Sequence, residues 1–315
     1  SSRLKARFNT HFLKAHQSNM SMNSERIENQ QDGRIWILMA AFLWSLSGIW
    51  AKSLTDDSMV IAIWRGIFAG MVLMPFTKGK WPGRIRPVHL LIAMAFAVMT
   101  GTYIAAIRAT TAANAIFLQC SATAWVVPIG WFWLHEKPDR RTLAGVGLAL
   151  LGIGCIILPE LAGSGSGQGL GMVLGLASGV AYGTVVVGLR ACRNDHPLWL
   201  SAWNNAAGGL VLAGVAGACG MGIWPHFGSV PGLAVFGLLQ MALPYAFFSK
   251  GLRTTSPANA TLIALVEPLL NPIWVWLFHG EKPHAATIVG GIVMLCGVAV
   301  ANVRPTSQPD NPKRA

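Results

Sequence analysis

The sequence predicts an all-α integral membrane protein of ten transmembrane helices, built as two inverted five-helix repeats with both termini cytoplasmic. Three observations carry that prediction: a succession of apolar blocks of helix-spanning length, a one-sided distribution of positive charge between them, and an internal repeat at a fixed offset.

The composition sets the class. Hydrophobic residues make up 53% of the 315-residue chain and charged residues only 11%, with a mean hydropathy of +0.49. A soluble domain carries about a quarter charged residues and could not cover so much apolar surface. The 35 glycines suit helices that approach closely inside a membrane. A net charge of +12 raises nucleic-acid binding as an alternative. The Lys and Arg residues are scattered through short loops, however, without a basic helix or aromatic-basic interleaving, so no nucleic-acid partner is expected. Cys120, Cys155, Cys192, Cys219 and Cys296 fall within or at the ends of apolar blocks and form no C-x-x-C pair, so they read as packing residues.

The expected spans are 35–51, 59–77, 89–107, 114–134, 142–159, 170–189, 199–219, 232–249, 259–278 and 286–303. They divide the chain into a polar, basic N-terminal segment (1–34), a first repeat (35–159), a Gly/Ser-rich external linker (160–169), a second repeat (170–303) and a short tail (304–315). With the N-terminus inside, the cytoplasmic side carries twenty of the 24 Lys and Arg residues. The external side carries Lys52, Arg108 and Lys282, and Arg65 alone lies well inside a span. Such a bias places both termini in the cytoplasm and the protein in the cell inner (plasma) membrane. No apolar h-region occurs in 1–34, so no cleavable signal peptide is expected there.

The repeat is visible without gaps. Residues 113–138, ANAIFLQCSATAWVVPIGWFWLHEKP, align with 258–283, ANATLIALVEPLLNPIWVWLFHGEKP. The agreement extends through Thr142/Thr287, Gly145/Gly290 and Gly152/Gly297, and back to Arg108/Arg253 and Thr110/Thr255. Each copy covers the fourth and fifth helices of a five-helix half. Because five is odd, the second half enters the membrane from the opposite side, an architecture of secondary transporters with a site near the midplane.

In these features the chain resembles the drug/metabolite transporter superfamily, and in particular its ten-helix EamA-like branch, over roughly residues 35–303. The resemblance rests on the duplicated corners His135-Glu136-Lys137-Pro138 and Gly280-Glu281-Lys282-Pro283, on Glu267-Pro268 and on Trp64-Arg65. The first copy departs from the pattern with His135 in place of Gly and with Ala122-Thr123 opposite Glu-Pro. The resemblance implies a proton-coupled antiporter or facilitator for amino acids, other metabolites or drugs.

Two charges stand out. Glu267 is the only carboxylate well inside a span, where insertion scales put its cost at roughly 2.5–3.5 kcal/mol. It suits a proton carrier or the counter-charge of a substrate amine; a structural helix-break role is the alternative. Arg65 suits a substrate carboxylate, or else snorkels to external headgroups or pairs with Glu267. Trp44, Trp64, Gln119, Tyr182, Trp203, Asn204, Gln240 and Asn271 complete the candidate substrate site, each with interhelical packing as its plain alternative. Gly171, Gly175, Gly179 and Gly183 recur every four residues and predict one smooth helix face.

No enzyme is expected, since no nucleophile-base set or metal-binding spacing is present, and no metal or cofactor is expected either. The absence of a G-x-x-x-x-G-K-[ST] loop excludes ATP drive from this chain. The expected partners are a small-molecule substrate, protons as the coupling ion, and the lipid bilayer, with a monomer or homodimer both open. Export of amino acids or related metabolites by alternating access is the preferred function; cationic drug efflux and a non-transport membrane scaffold or enzyme are the alternatives.

Overall fold

The computed structural model describes residues 33–135, 138–162 and 168–302, without the side chains of residues 160, 161, 257 and 258. Residues 1–32, residues 163–167 of the Gly/Ser-rich linker, Glu136-Lys137 and residues 303–315 lie outside the described residues.

The described residues are helical, with no strand. In chain order we number α1 Gly33–Ser53, α2 Ser58–Leu73 with a 3-10 turn over Met74–Thr77, α3 Pro87–Ala109, α4 Ala112–Leu134 and α5 Arg140–Leu161. Then follow α6 Gly169–Ala191, α7 Pro197–Ala218, α8 Phe227–Gly251, α9 as two segments Pro257–Ala264 and Val266–His279, and α10 Ala285–Asn302. Nine of these are long and apolar enough to cross a membrane. The remaining one, α7, has 22 residues but carries Trp203-Asn204-Asn205 in its first half, which lowers its hydropathy. Most helices extend one to five residues beyond the spans read from hydropathy, because polar and proline-bearing end turns such as Arg140-Arg141 and Pro197 continue the hydrogen-bonded ladder.

Four helices are interrupted: α4 at Ser121, between Ala112–Cys120 and Ala122–Leu134, and three others in ways the sequence explains. Pro268 lacks an N–H and its ring crowds the carbonyl of Ala264, so α9 is interrupted at Leu265. Pro244 does the same to the carbonyl of Gln240, and α8 responds with a π-helical turn over Gly237–Ala242. In α1, the Ser45 hydroxyl donates to the Phe42 carbonyl at 2.6 Å, just before a turn at Leu46.

Glycine contacts set the close approaches. A Cβ on Gly145 would lie 2.6 Å from the Gly297 carbonyl, and one on Gly290 would lie 2.6 Å from the Gly152 carbonyl. The repeat offset exchanges these two contacts, so α5 and α10 pack antiparallel about a local two-fold. The α2–α7 crossing behaves alike. Asp56, Trp64 and Gly70 correspond to Asp195, Trp203 and Gly209, while Gly70 meets Ala206 and Gly209 meets Ile67. The α6 glycine stripe packs on α4: added Cβ atoms at Gly171, Gly175, Gly179 and Gly183 would meet Thr110, Leu118, Ser121 and Trp125. Large apolar side chains such as Phe132, Leu151, Val173, Leu210 and Phe278 point outward and need hydrocarbon around them.

Helix ends define two faces. We call them the Glu281 face (Ser53, Ala112, His279 and Ala285) and the Asp195 face (Gly33, Pro87, Leu134, Ala191 and Pro257). On the Glu281 face, Ala112–Cys120 of α4 packs on Val266–His279 of α9 and on α10. On the Asp195 face, the repeat-related segment Pro257–Ala264 has no comparable packing on Ala122–Leu134 or on α5 among the described residues. Among the described residues, α4 and α9 are therefore packed together at the Glu281 face and not comparably at the Asp195 face.

Candidate functional site

Arg65 lies on α2 with 2% of its surface exposed, so it does not snorkel to an interface. Its Nη1 donates to Gln240 Oε1 at 2.9 Å, and its Cζ lies 5.1 Å from the centroid of the Phe236 ring. The π turn of α8 brings both partners to it: Phe236 immediately precedes the turn and Gln240 lies within it. No ion pair joins Arg65 to Glu267 among the described residues, so that sequence alternative is not what the structure adopts. Arg65 Nε has no hydrogen-bond partner there, leaving unspent donor capacity on a buried cation.

Glu267 sits half-buried in the first turn of the second α9 segment, without a hydrogen-bond partner among the described residues. Its charge acts on the Tyr103, Tyr182 and Tyr245 hydroxyls and on the Cys120 thiol, contributed by α3, α6, α8 and α4. Arg65 acts on two of the same groups, Tyr103 and Tyr245. Tyr182 is 41% exposed although it faces this cluster at mid-helix depth. Tyr182 is thus both accessible and within electrostatic reach of Glu267.

The other expected residues are placed in different surroundings. Trp44 packs edge-on against Tyr245 at 5.3 Å and joins the aromatic wall. Asn271 Nδ2 donates to Ser47 Oγ at 2.7 Å, and Ser47 and Tyr103 share a hydrogen bond of 3.1 Å, so Asn271 supports the wall. Gln119 donates to Ser178 at 2.8 Å, tying α4 to α6. Asn204 is buried, with Oδ1 unpartnered among the described residues. Trp64 and Trp203 lie elsewhere. The Trp64 indole donates to the Ile223 carbonyl at 2.7 Å and packs on Trp224 near the Glu281 face. Trp203 stacks on Trp199 at 5.7 Å and donates to the His89 carbonyl near the Asp195 face.

Sequence reasoning missed Tyr103 and Ser178, since lone hydroxyls in apolar helices carry no signal of direction. It also missed two Asp–His contacts at opposite faces. Asp56 Oδ1 accepts from the backbone N–H of His226 and contacts its Nδ1, both at 2.8 Å. Burial works against the charged form of Asp56, yet hydrogen bonds from Ser229 and His226 hold its carboxyl below the ordinary range. At the other face, His89 Nε2 lies 3.0 Å from Asp195 Oδ2, which Arg86 also binds. Again burial is outweighed, here by His89 and Arg86, and Asp195 is held low. His89, Cys192 and Asp195 present three donor atoms within 4.8 Å of one another. The Arg86 guanidinium in the same cluster opposes a cation, and His89 Nδ1 accepts from the Arg86 backbone N–H at 3.1 Å.

A helical membrane protein that holds Arg65 and Glu267 among tyrosines drawn from both halves of the chain is the class that fold and site define. The chain matches the EamA-like transporter family over residues 32–158 and again over 169–303, and it belongs to that family. It is 26% identical over 275 residues to an uncharacterized transporter from Archaeoglobus fulgidus, covering 85% of this chain and 96% of that one. A protein of known crystal structure shares the fold at a TM-score of 0.61 with 16% identity, again covering 85% of this chain and 96% of the other. The chain is thus a membrane transporter and not an enzyme.

Proposed function

We propose that this transporter exports amino acids or related small metabolites from the cytoplasm across the cell inner membrane by alternating access. All ten helices span the membrane in two inverted halves, with both termini and the Asp195 face in the cytoplasm. The positive charge of the loops at that face supports this orientation.

One arrangement carries the substrate class: Arg65 and Glu267 form no ion pair with each other among the described residues, yet both lie within electrostatic reach of Tyr103 and Tyr245. Opposite charges held apart across one aromatic-walled cavity suit a zwitterion, whose carboxylate and ammonium would each find a partner. In this reading Trp44 and Tyr182 contact the substrate directly. Gln240 orients Arg65, Asn271 supports Tyr103 through Ser47, and Gln119 holds α4 on α6. Glu267 exchanges a proton against the substrate ammonium, which couples export to the proton gradient.

Uptake of a labelled amino-acid mixture into proteoliposomes, with and without an imposed pH gradient, tests the proposal. Transport is expected above empty liposomes and is stimulated by the gradient. Glu267→Gln should abolish the stimulation while leaving exchange; stimulation unchanged in that variant would remove Glu267 from coupling. The unpartnered Glu267 beside Trp44, Tyr182 and Tyr245 also suits an organic cation. Transport of cationic dyes that survives Arg65→Ala would favour that second reading.

A further inference from the structure

The second of the duplicated E-K-P corners ties the two repeats together at the Glu281 face. Glu281 Oε1 accepts from the backbone N–H of Ala112 at 2.7 Å, and its Oε2 pairs with Lys52 Nζ at 2.5 Å. One carboxylate from the second repeat therefore grips the N-terminus of α4 and the end of α1, both in the first repeat. The Ala112 N–H belongs to the first turn of a helix and has no partner within it, and a negative charge there is favoured by the helix dipole. Behind this contact runs a buried chain of hydrogen bonds: Thr287 to Asn114 at 2.7 Å, Asn114 to Thr110 at 2.9 Å, and Thr110 to Gln168 at 2.6 Å.

The repeat-related positions on the Asp195 face differ in two ways. Asn259 is exposed, Thr255 Oγ1 is unpartnered, and no bond joins Asn259 to Thr142 among the described residues. Moreover, the fixed offset that aligns Ala113-Asn114-Ala115 with Ala258-Asn259-Ala260 puts Pro257 opposite Ala112. The local caps are matched, since Thr111 accepts from Asn114 N–H at 3.1 Å and Ser256 from Asn259 N–H at 3.4 Å. The register is therefore secure, and at 257 there is no N–H to donate.

We propose that Glu281 is the latch of the gate on the Glu281 face, and that Pro257 denies the opposite gate the matching bond. The two access states are then unequal in this chain, and it rests open toward the Asp195 face. The use of the latch rests on the alternating-access reading; its geometry does not.

Amide hydrogen exchange on the full-length protein in lipid nanodiscs tests this without a ligand. Relative to the wild type, Glu281→Ala should raise exchange across 112–118 roughly tenfold, as loss of a charge-assisted bond predicts. Glu281→Gln, which keeps an acceptor but loses the charge, should raise it less. Pro257→Ala should shift the balance, raising exchange across 112–118 and lowering it across 259–264. Unchanged exchange across 112–118 in Glu281→Ala, with the α2–α7 amides still protected, would overturn the latch. Should that variant not fold, Lys52→Ala provides the same readout. Exchange that follows the prediction in a protein that transports nothing would retain the latch and remove the transport reading. Transport with no exchange response would do the reverse.

Discussion

The α5–α10 seam and the two ends of α4 and α9 are built from the same duplicated sequence, yet they behave differently. At the seam, Gly145 meets Gly297 and Gly290 meets Gly152 with the same 2.6 Å approach, so the repeat is obeyed. At the ends it is not. Asn114 and Thr287 are 4% and 3% exposed and bonded to each other, while their counterparts Asn259 and Thr142 are accessible and unbonded to each other. The difference teaches where the molecule is free to change. Contacts near the local two-fold are identical in both halves and need not change when the faces exchange roles. Under the proposed alternating access, the contacts at the two faces are not both open at once, since that would create a channel.

The largest expected effects break the symmetric part. Gly145→Leu and Gly290→Leu each drive a side chain into a backbone carbonyl and should each cost about 3 kcal/mol, with similar losses in thermal stability for the two repeat partners. A large difference between them would remove the equivalence at the seam. Next come the faces. Asn114→Ala removes two buried hydrogen bonds and should cost about 2 kcal/mol, whereas the accessible Asn259→Ala should stay within about 0.5 kcal/mol. Equal losses in denaturant or thermal melts would mean that the asymmetry does not describe the protein in a membrane mimic.

A third prediction uses pH. The folded state holds the Asp195 carboxyl below its ordinary value, so its contribution to stability is present above about pH 3.9, the unfolded value, and is lost as pH falls through the folded value. Asp195→Asn should therefore lower stability at pH 7 and flatten the acid side of the melting curve below about pH 4. A parallel pH profile in variant and wild type would contradict the His89–Asp195–Arg86 contact. The smallest effect concerns helix ends. α4 and α9 both finish in the left-handed region, at His135 with φ 56° and at Gly280 with φ 68°. His135→Gly should stabilise the first copy by about 1 kcal/mol, and the melting temperature should rise slightly.

Much of this architecture was legible in the sequence, for identifiable reasons. Apolar runs report helices that need hydrocarbon, and the gapless match of 113–138 with 258–283 reports equivalent positions, down to the departure His135/Gly280. The α6 glycines were legible as a close-packing face, since only a neighbour at near-contact distance explains four of them in register. The proposed site draws on two charges that stand out in the sequence, because ionisable groups in mid-span are costly and rare. It was not legible where direction matters. Trp203 and Trp64 have mid-span depth but turn toward His89 and Ile223. Gln240 meets Arg65 because Pro244 forces a π turn that hydropathy does not reveal. The asymmetry between faces was equally hidden: Pro257 and Ala112 are visible in the alignment, but only the Glu281 contact shows why the exchange matters.

The most direct test of the account is access to the cavity from each side of the membrane. A membrane-impermeant thiol reagent would be applied to Tyr182→Cys in sealed vesicles of either orientation, with the labelled peptide identified by mass spectrometry to separate it from the native cysteines. Labelling from the Asp195 face alone, extended to both faces by Glu281→Ala, is the predicted result. Labelling of the otherwise unaltered Tyr182→Cys protein from the Glu281 face alone, or equally from both, would contradict a cavity that rests open toward the Asp195 face.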